Sequence, residues 1–102
     1  MSINKVISND NRQLIITIED SFDFSSHQQF RNAYSEYNIV GGKVVVDLSK
    51  TTYMDSSALG MLLLLKDHVE ALTGKLIIFK PNATVLKILE IAQFHRLMNI
   101  EP

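Results

Sequence analysis

The sequence predicts an α/β domain in which helices pack against a mixed β-sheet. Three observations carry this. Apolar stretches of strand type and of helix type alternate along the chain. Strand, long apolar helix and strand succeed one another over residues 43–79, a βαβ unit whose two strands should run parallel. The breaks fall on turn formers: Ser8-Asn9-Asp10-Asn11, Gly41-Gly42, Gly74 and Pro81-Asn82.

Taken in order, Ile3–Ile7 is a short, weak strand, and Gln13–Ile18 is a stronger one, rich in β-branched residues. With the turn between them they read as an antiparallel hairpin. Residues 19–24 read as a loop carrying Glu19, Asp20 and Asp23. Ser25 and Ser26 are helix N-cap candidates, each followed three positions later by Gln28 or Gln29 in a capping-box pattern. Phe30, Ala33, Tyr34 and Tyr37 then share one helical face. The consecutive valines of residues 43–48 predict a strand buried on both faces. Residues 51–55 read as a loop and residues 56–72 as a helix, with Gly74 as its C′ stop. Lys75–Phe79 is a further strand. Val85, Ile88, Leu89 and Ala92 form the apolar face of a last helix, and Met98-Asn99-Ile100 is a candidate short edge strand. The order is β-β-α-β-α-β-α with that candidate final β, in a single domain spanning residues 1–102.

Composition narrows the function classes. At 102 residues the chain is one domain, long enough to bury roughly two thirds of its unfolded surface. It has no Cys, hence no disulfide, no thiolate zinc site and no thiol nucleophile, which fits a reducing compartment. A formal net charge of −1 argues against nucleic acid as a partner, since phosphate binding needs a basic face. The longest apolar run, residues 58–65 broken only by Gly60, is far short of the roughly 20 residues that span a bilayer. The polar residues 1–11 do not resemble a secretory signal. A cytoplasmic, monomeric protein without a membrane partner is expected.

The stretch Met54-Asp55-Ser56-Ser57-Ala58-Leu59-Gly60 lies between a buried strand and a helix. Sites in open α/β sheets gather where strand ends lead into helices. A helix N-terminus offers free backbone N–H groups and positive dipole character, so a phosphoryl group on a Ser there would be favourably hosted. On spacing alone, Asp-Ser-Ser before an apolar helix is first of all N-cap chemistry. Other features are chemically silent. His27, His68 and His95 are scattered and form no metal-binding pair, so neither metal nor cofactor is expected. His68 lies about three turns from Ser56 on the same helix, too far for nucleophile activation. Gly41-Gly42-Lys43 lacks the phosphate-loop spacing. Most of Leu59, Met61 and the run of four leucines should face the sheet, the remainder being available to a partner.

The strand, the Asp55-Ser56-Ser57 turn and the apolar helix resemble the STAS domain family, the anti-sigma factor antagonists. Phe22-Asp23 looks like the family's acidic residue before the first helix, Gly74-Lys75-Leu76 like its Gly-led strand, and residues 81–89 like its late helix. The resemblance covers nearly the whole chain. Departures are Ala58 where Gly is common, Asp20-Ser21-Phe22-Asp23 in place of a Gly-containing turn, and no Gly in residues 92–97.

The resemblance implies a switch protein and not an enzyme. Ser56 would be phosphorylated, with Ser57 as second choice, by a serine kinase of the histidine-kinase-like ATPase fold, often itself the anti-sigma factor. A PP2C-type phosphatase would reverse the mark. Asp55 and Asp23 would support the site, and Ser57, Ala58, Leu59, Gly60 and Met61 would meet the partner. An alternative is a structural STAS subunit of a lipid-transport ABC complex, which docks without phosphorylation. The intact Asp55-Ser56-Ser57 favours the switch.

Overall fold

The computed structural model describes residues 3–102. Strands β1 (Ile3–Ile7) and β2 (Gln13–Ile18) form the antiparallel hairpin. Strands β4 (Lys43–Asp47), β6 (Lys75–Phe79) and β7 (Asn99–Glu101) extend it in parallel, giving one five-stranded sheet in the order β1-β2-β4-β6-β7. The βαβ unit is therefore present, and the candidate final strand pairs with β6.

Helices α1 (His27–Tyr34), α2 (Ser56–Ala71) and α3 (Ala83–Ile91) all pack on one face of that sheet. Leu14, Ile16 and Ile18 of β2, Val44 and Val46 of β4, and Ile78 of β6 meet Phe30, Leu62, Leu65 and Leu89 there. This corrects the reading of the valine run. Val44 and Val46 are buried, but Val45 points to the other face and is only half-buried. Three consecutive valines satisfy strand propensity whether one face is covered or two.

Two segments expected to be loops are strands. β3 (Asp20–Phe22) and β5 (Thr51–Met54) pair in parallel as a separate two-stranded sheet, with a register irregularity after Asp20. They are too short, and too rich in Asp, Ser and Thr, to show a period of two. Asp20 adopts a left-handed backbone (φ 63°), which turns the chain out of β2, and its N–H donates to the Lys50 carbonyl at 2.9 Å. The buried Thr51 hydroxyl donates to the Ile18 carbonyl at 2.7 Å and ties the small sheet to the large one.

Two helix ends also differ from expectation. No capping box forms at Ser25 or Ser26. Asp23 instead caps a 3-10 turn over Phe24–Ser26, accepting the Ser25 N–H at 3.0 Å, and α1 follows directly. The helix stops before Tyr37, yet Tyr37 is buried and its hydroxyl donates to the Asn11 carbonyl at 2.9 Å. At the end of α2, Gly74 is C″ and Thr73 is the left-handed C′ residue (φ 52°). The N–H groups of Thr73 and Gly74 donate to the carbonyls of Glu70 and Val69, the two bonds of a Schellman motif. Glycine is needed at 74 for a different reason: a Cβ there would stand 2.5 Å from the Gly42 carbonyl oxygen.

Candidate functional site

The site is built where the small sheet ends. In β3 and β5, Phe22 is in register with Met54, and both side chains are buried. The residues that follow, Asp23 and Asp55, leave neighbouring strand ends side by side, and the Asp55 N–H still reaches the Phe22 carbonyl at 3.4 Å. Adjacent strands lie about 4.8 Å apart, so two carboxylates share one edge. Each caps what comes next. Asp23 caps the 3-10 turn, and its Oδ1 also accepts the Ser25 hydroxyl. Asp55, in extended conformation, accepts the Ala58 N–H through Oδ1 at 3.1 Å and starts α2. The base of the site is held by Asn82. Its Oδ1 caps α3 by accepting the Val85 N–H at 2.8 Å, while its Nδ2 donates to the Thr51 carbonyl at 2.9 Å.

Ser56 opens the first turn of α2 with an exposed side chain. Ser57 beside it is half-buried. Neither hydroxyl has a hydrogen-bond partner among the described residues, so capping falls to Asp55 alone. Of the residues expected to meet a partner, Gly60 is exposed, and Ser57 and Leu59 are half-buried. Ala58 and Met61 are buried, which corrects their assignment to a contact surface. They lie three apart on the face of α2 that also carries Leu62 and Leu65 into the core.

The exposed face of the helix runs instead through Ser56, Gly60 and Leu64, one turn apart, with Leu63 beside them. Leu64 is 56% exposed. A Cβ on Gly60 would meet nothing within 4 Å, so no packing inside this chain calls for a glycine there. Two aromatic residues border the site that sequence reasoning missed. Phe24, 72% exposed, follows Asp23 and stacks on His27 with ring centroids 5.9 Å apart. Tyr53, 53% exposed, lies two residues before Asp55 and points away from the buried Met54. Tyr53 directly precedes the buried Met54, so recognising the segment as a strand would have placed it on the opposite, exposed side.

No group of three or more His, Asp or Glu that could hold a metal ion occurs among the described residues. No helix among them is long and apolar enough to cross a membrane.

A small α/β domain with a mixed sheet and three helices matches the SpoIIAA-like fold. The structure of the anti-sigma factor antagonist SpoIIAA in its unphosphorylated form aligns with a TM-score of 0.82 at 21% identity, covering 99% of this chain and 89% of that one. The Bacillus cell fate determinant SpoIIAA in its phosphorylated form aligns with a TM-score of 0.75 at 19% identity, covering 99% and 92%. An anti-sigma factor antagonist from Mycobacterium paratuberculosis aligns at 0.80 and 14% identity, covering 99% and 86%. The chain belongs to the STAS domain family, which matches residues 2–102. A STAS-domain containing protein of Pseudomonas aeruginosa strain UCBPP-PA14 is 44% identical over 100 residues, 98% of this chain and 99% of the relative.

Proposed function

We propose that this protein is a cytoplasmic phosphorylation switch of the anti-sigma factor antagonist type, with Ser56 as the phosphate acceptor. The observation that carries the reading is the free, exposed Ser56 hydroxyl at the start of α2, on one line with the bare Gly60 and the exposed Leu64. The partner that binds this line is a serine kinase of histidine-kinase-like ATPase fold. The Ser56 Oγ attacks the γ-phosphorus of ATP held by that kinase, the bond to the ADP oxygen breaks, and the hydroxyl proton leaves to a kinase base or to water. A PP2C-type phosphatase hydrolyses the ester. That one related fold is known in both phosphorylated and unphosphorylated forms supports the class.

The switch works by charge. A phosphoserine adds about −1.5 to −2 charges at neutral pH, against a formal net charge of −1 for the whole chain. The helix N-terminus accommodates that dianion within this protein. A partner that buries Ser56 does not, because Asp55 and Asp23 already make the edge acidic. Desolvating an unpaired charge at an interface costs about 3 kcal/mol, more than 100-fold in affinity. Gly60 lets a partner backbone come close, and Leu64 gives it an apolar anchor.

Co-purification from cells with Ser56→Ala and Ser56→Asp variants tests this. Ser56→Ala is expected to retain the partner and Ser56→Asp to lose it, while intact-mass analysis shows one phosphate on wild-type protein and none on Ser56→Ala. Equal retention by both variants refutes the electrostatic switch. A phosphate that persists in Ser56→Ala and vanishes in Ser57→Ala moves the site to Ser57.

A further inference from the structure

Among the described residues, no helix or strand covers the face of the five-stranded sheet opposite the helices. In the registered pairings, Val6, Ile15, Val45 and Ile77 form one continuous row across β1, β2, β4 and β6. Val6 is 63% exposed, and Ile15 and Val45 are half-buried. Ile77 is 2% exposed yet stands outside the helix-side core, sunk in a hollow of about 240 Å³ on the open face.

Charge on this face is divided by strand direction. Lys43 and Lys75 sit at the N-terminal ends of β4 and β6, and Asp47 and Glu101 at the C-terminal ends of β4 and β7. None of the four forms an ion pair among the described residues. Lys80, at the acidic end, is drawn over the Phe79 ring with its Nζ 5.4 Å from the centroid.

From this division we infer that the open face binds a second copy of this chain, with a two-fold axis lying along the apolar row. Two sheets packed face to face keep their strands within about 30° of alignment, parallel or antiparallel. An axis along the strands would set lysines against lysines. The axis along the row reverses the strands. It places the half-buried Val45 on Val45 of the other copy, and sets Lys43 of each copy against Asp47 of its mate. The interface is isologous and closes at two subunits.

The area makes the dimer weak. Five strands about 4.8 Å apart and five residues about 3.3 Å each give a face of about 400 Å², or about 800 Å² for the pair, below the usual 1,200 Å² of stable interfaces. Association is therefore concentration-dependent. Ser56 lies on the helix side and stays uncovered in both copies, so the inference stands independently of the proposed switch.

Sedimentation velocity over a concentration series up to millimolar protein tests it. The average mass is expected to climb from 11.6 kDa toward twice that value. Val45→Glu is expected to remain at 11.6 kDa throughout. Lys43→Glu should do the same, with circular dichroism melting showing both variants folded. Lys43→Glu combined with Asp47→Lys should regain the dimer. A wild-type mass of 11.6 kDa at every concentration overturns the inference. So does dimerisation undiminished in both Val45→Glu and Lys43→Glu, or native mass spectrometry showing a monomer with a small apolar molecule lodged in the hollow.

Discussion

Strands β2, β4 and β6 run five or six residues in unbroken register, each alternating buried and less buried positions or buried throughout its middle. Strands β3 and β5 run three and four residues, with a register irregularity, a left-handed Asp20 and mostly polar side chains. The large sheet supplies the stability. The small one supplies little of its own, yet it presents Asp23, Asp55 and Ser56 at one edge. It can be that short because side chains from elsewhere hold it: Thr51 to the Ile18 carbonyl, and Asn82 to the Thr51 carbonyl. The candidate edge is thus mounted on a weak element and fixed by a few specific hydrogen bonds.

The sharpest way to separate the two regions is to damage the first. Leu62→Ala, at a fully buried position against the large sheet, is expected to cost about 2–5 kcal/mol by thermal or urea unfolding. Partner binding per folded molecule should survive it. Ser56→Asp should do the reverse, lowering partner affinity more than 100-fold by about 3 kcal/mol with an unchanged melting temperature.

Asn82→Ala lies between these, since it removes the α3 cap and the tether to β5 together. It is expected to cost about 1–2 kcal/mol in unfolding, and to weaken partner binding more than an equally destabilising core change does. Hydrogen exchange should then show faster opening at 51–54 than in β4. The smallest effect is expected at Gly60. Gly60→Ala should stabilise the fold by about 0.5–1 kcal/mol, because the site is an exposed helix interior with free space. Gly60→Lys should leave the melting temperature close to wild type and still block the partner. Retained binding by Gly60→Lys would show that this face of α2 is not the contact.

Much of this was readable in the residues. Strands β2, β4 and β6 appear where runs of β-branched and apolar residues put them, although the valines of β4 did not reveal which of its faces is open. The αβ order made β4 and β6 parallel. The Asp55 cap and the exposed Ser56 also follow from local chemistry, since an N-cap is decided within four residues. What escaped was non-local. The pairing of β3 with β5 joins segments about thirty residues apart, and nothing in either predicts the other. Ala58 and Met61 were misplaced for the same kind of reason. The apolar positions of α2 surround more than one face, and only its seat on the sheet selects which ones are buried.

The sequence by itself determined the α/β class, the element order, the long apolar helix and a serine at its start, because propensity, periodicity and capping act over a few neighbouring residues. Tertiary structure alone decided that all helices share one face, leaving Val45 and Ile77 on an open one, and that it is the separate β3–β5 pair that brings the expected neighbours Asp23 and Asp55 together. Those facts depend on which strands become neighbours, and that is settled by the packing of the whole chain.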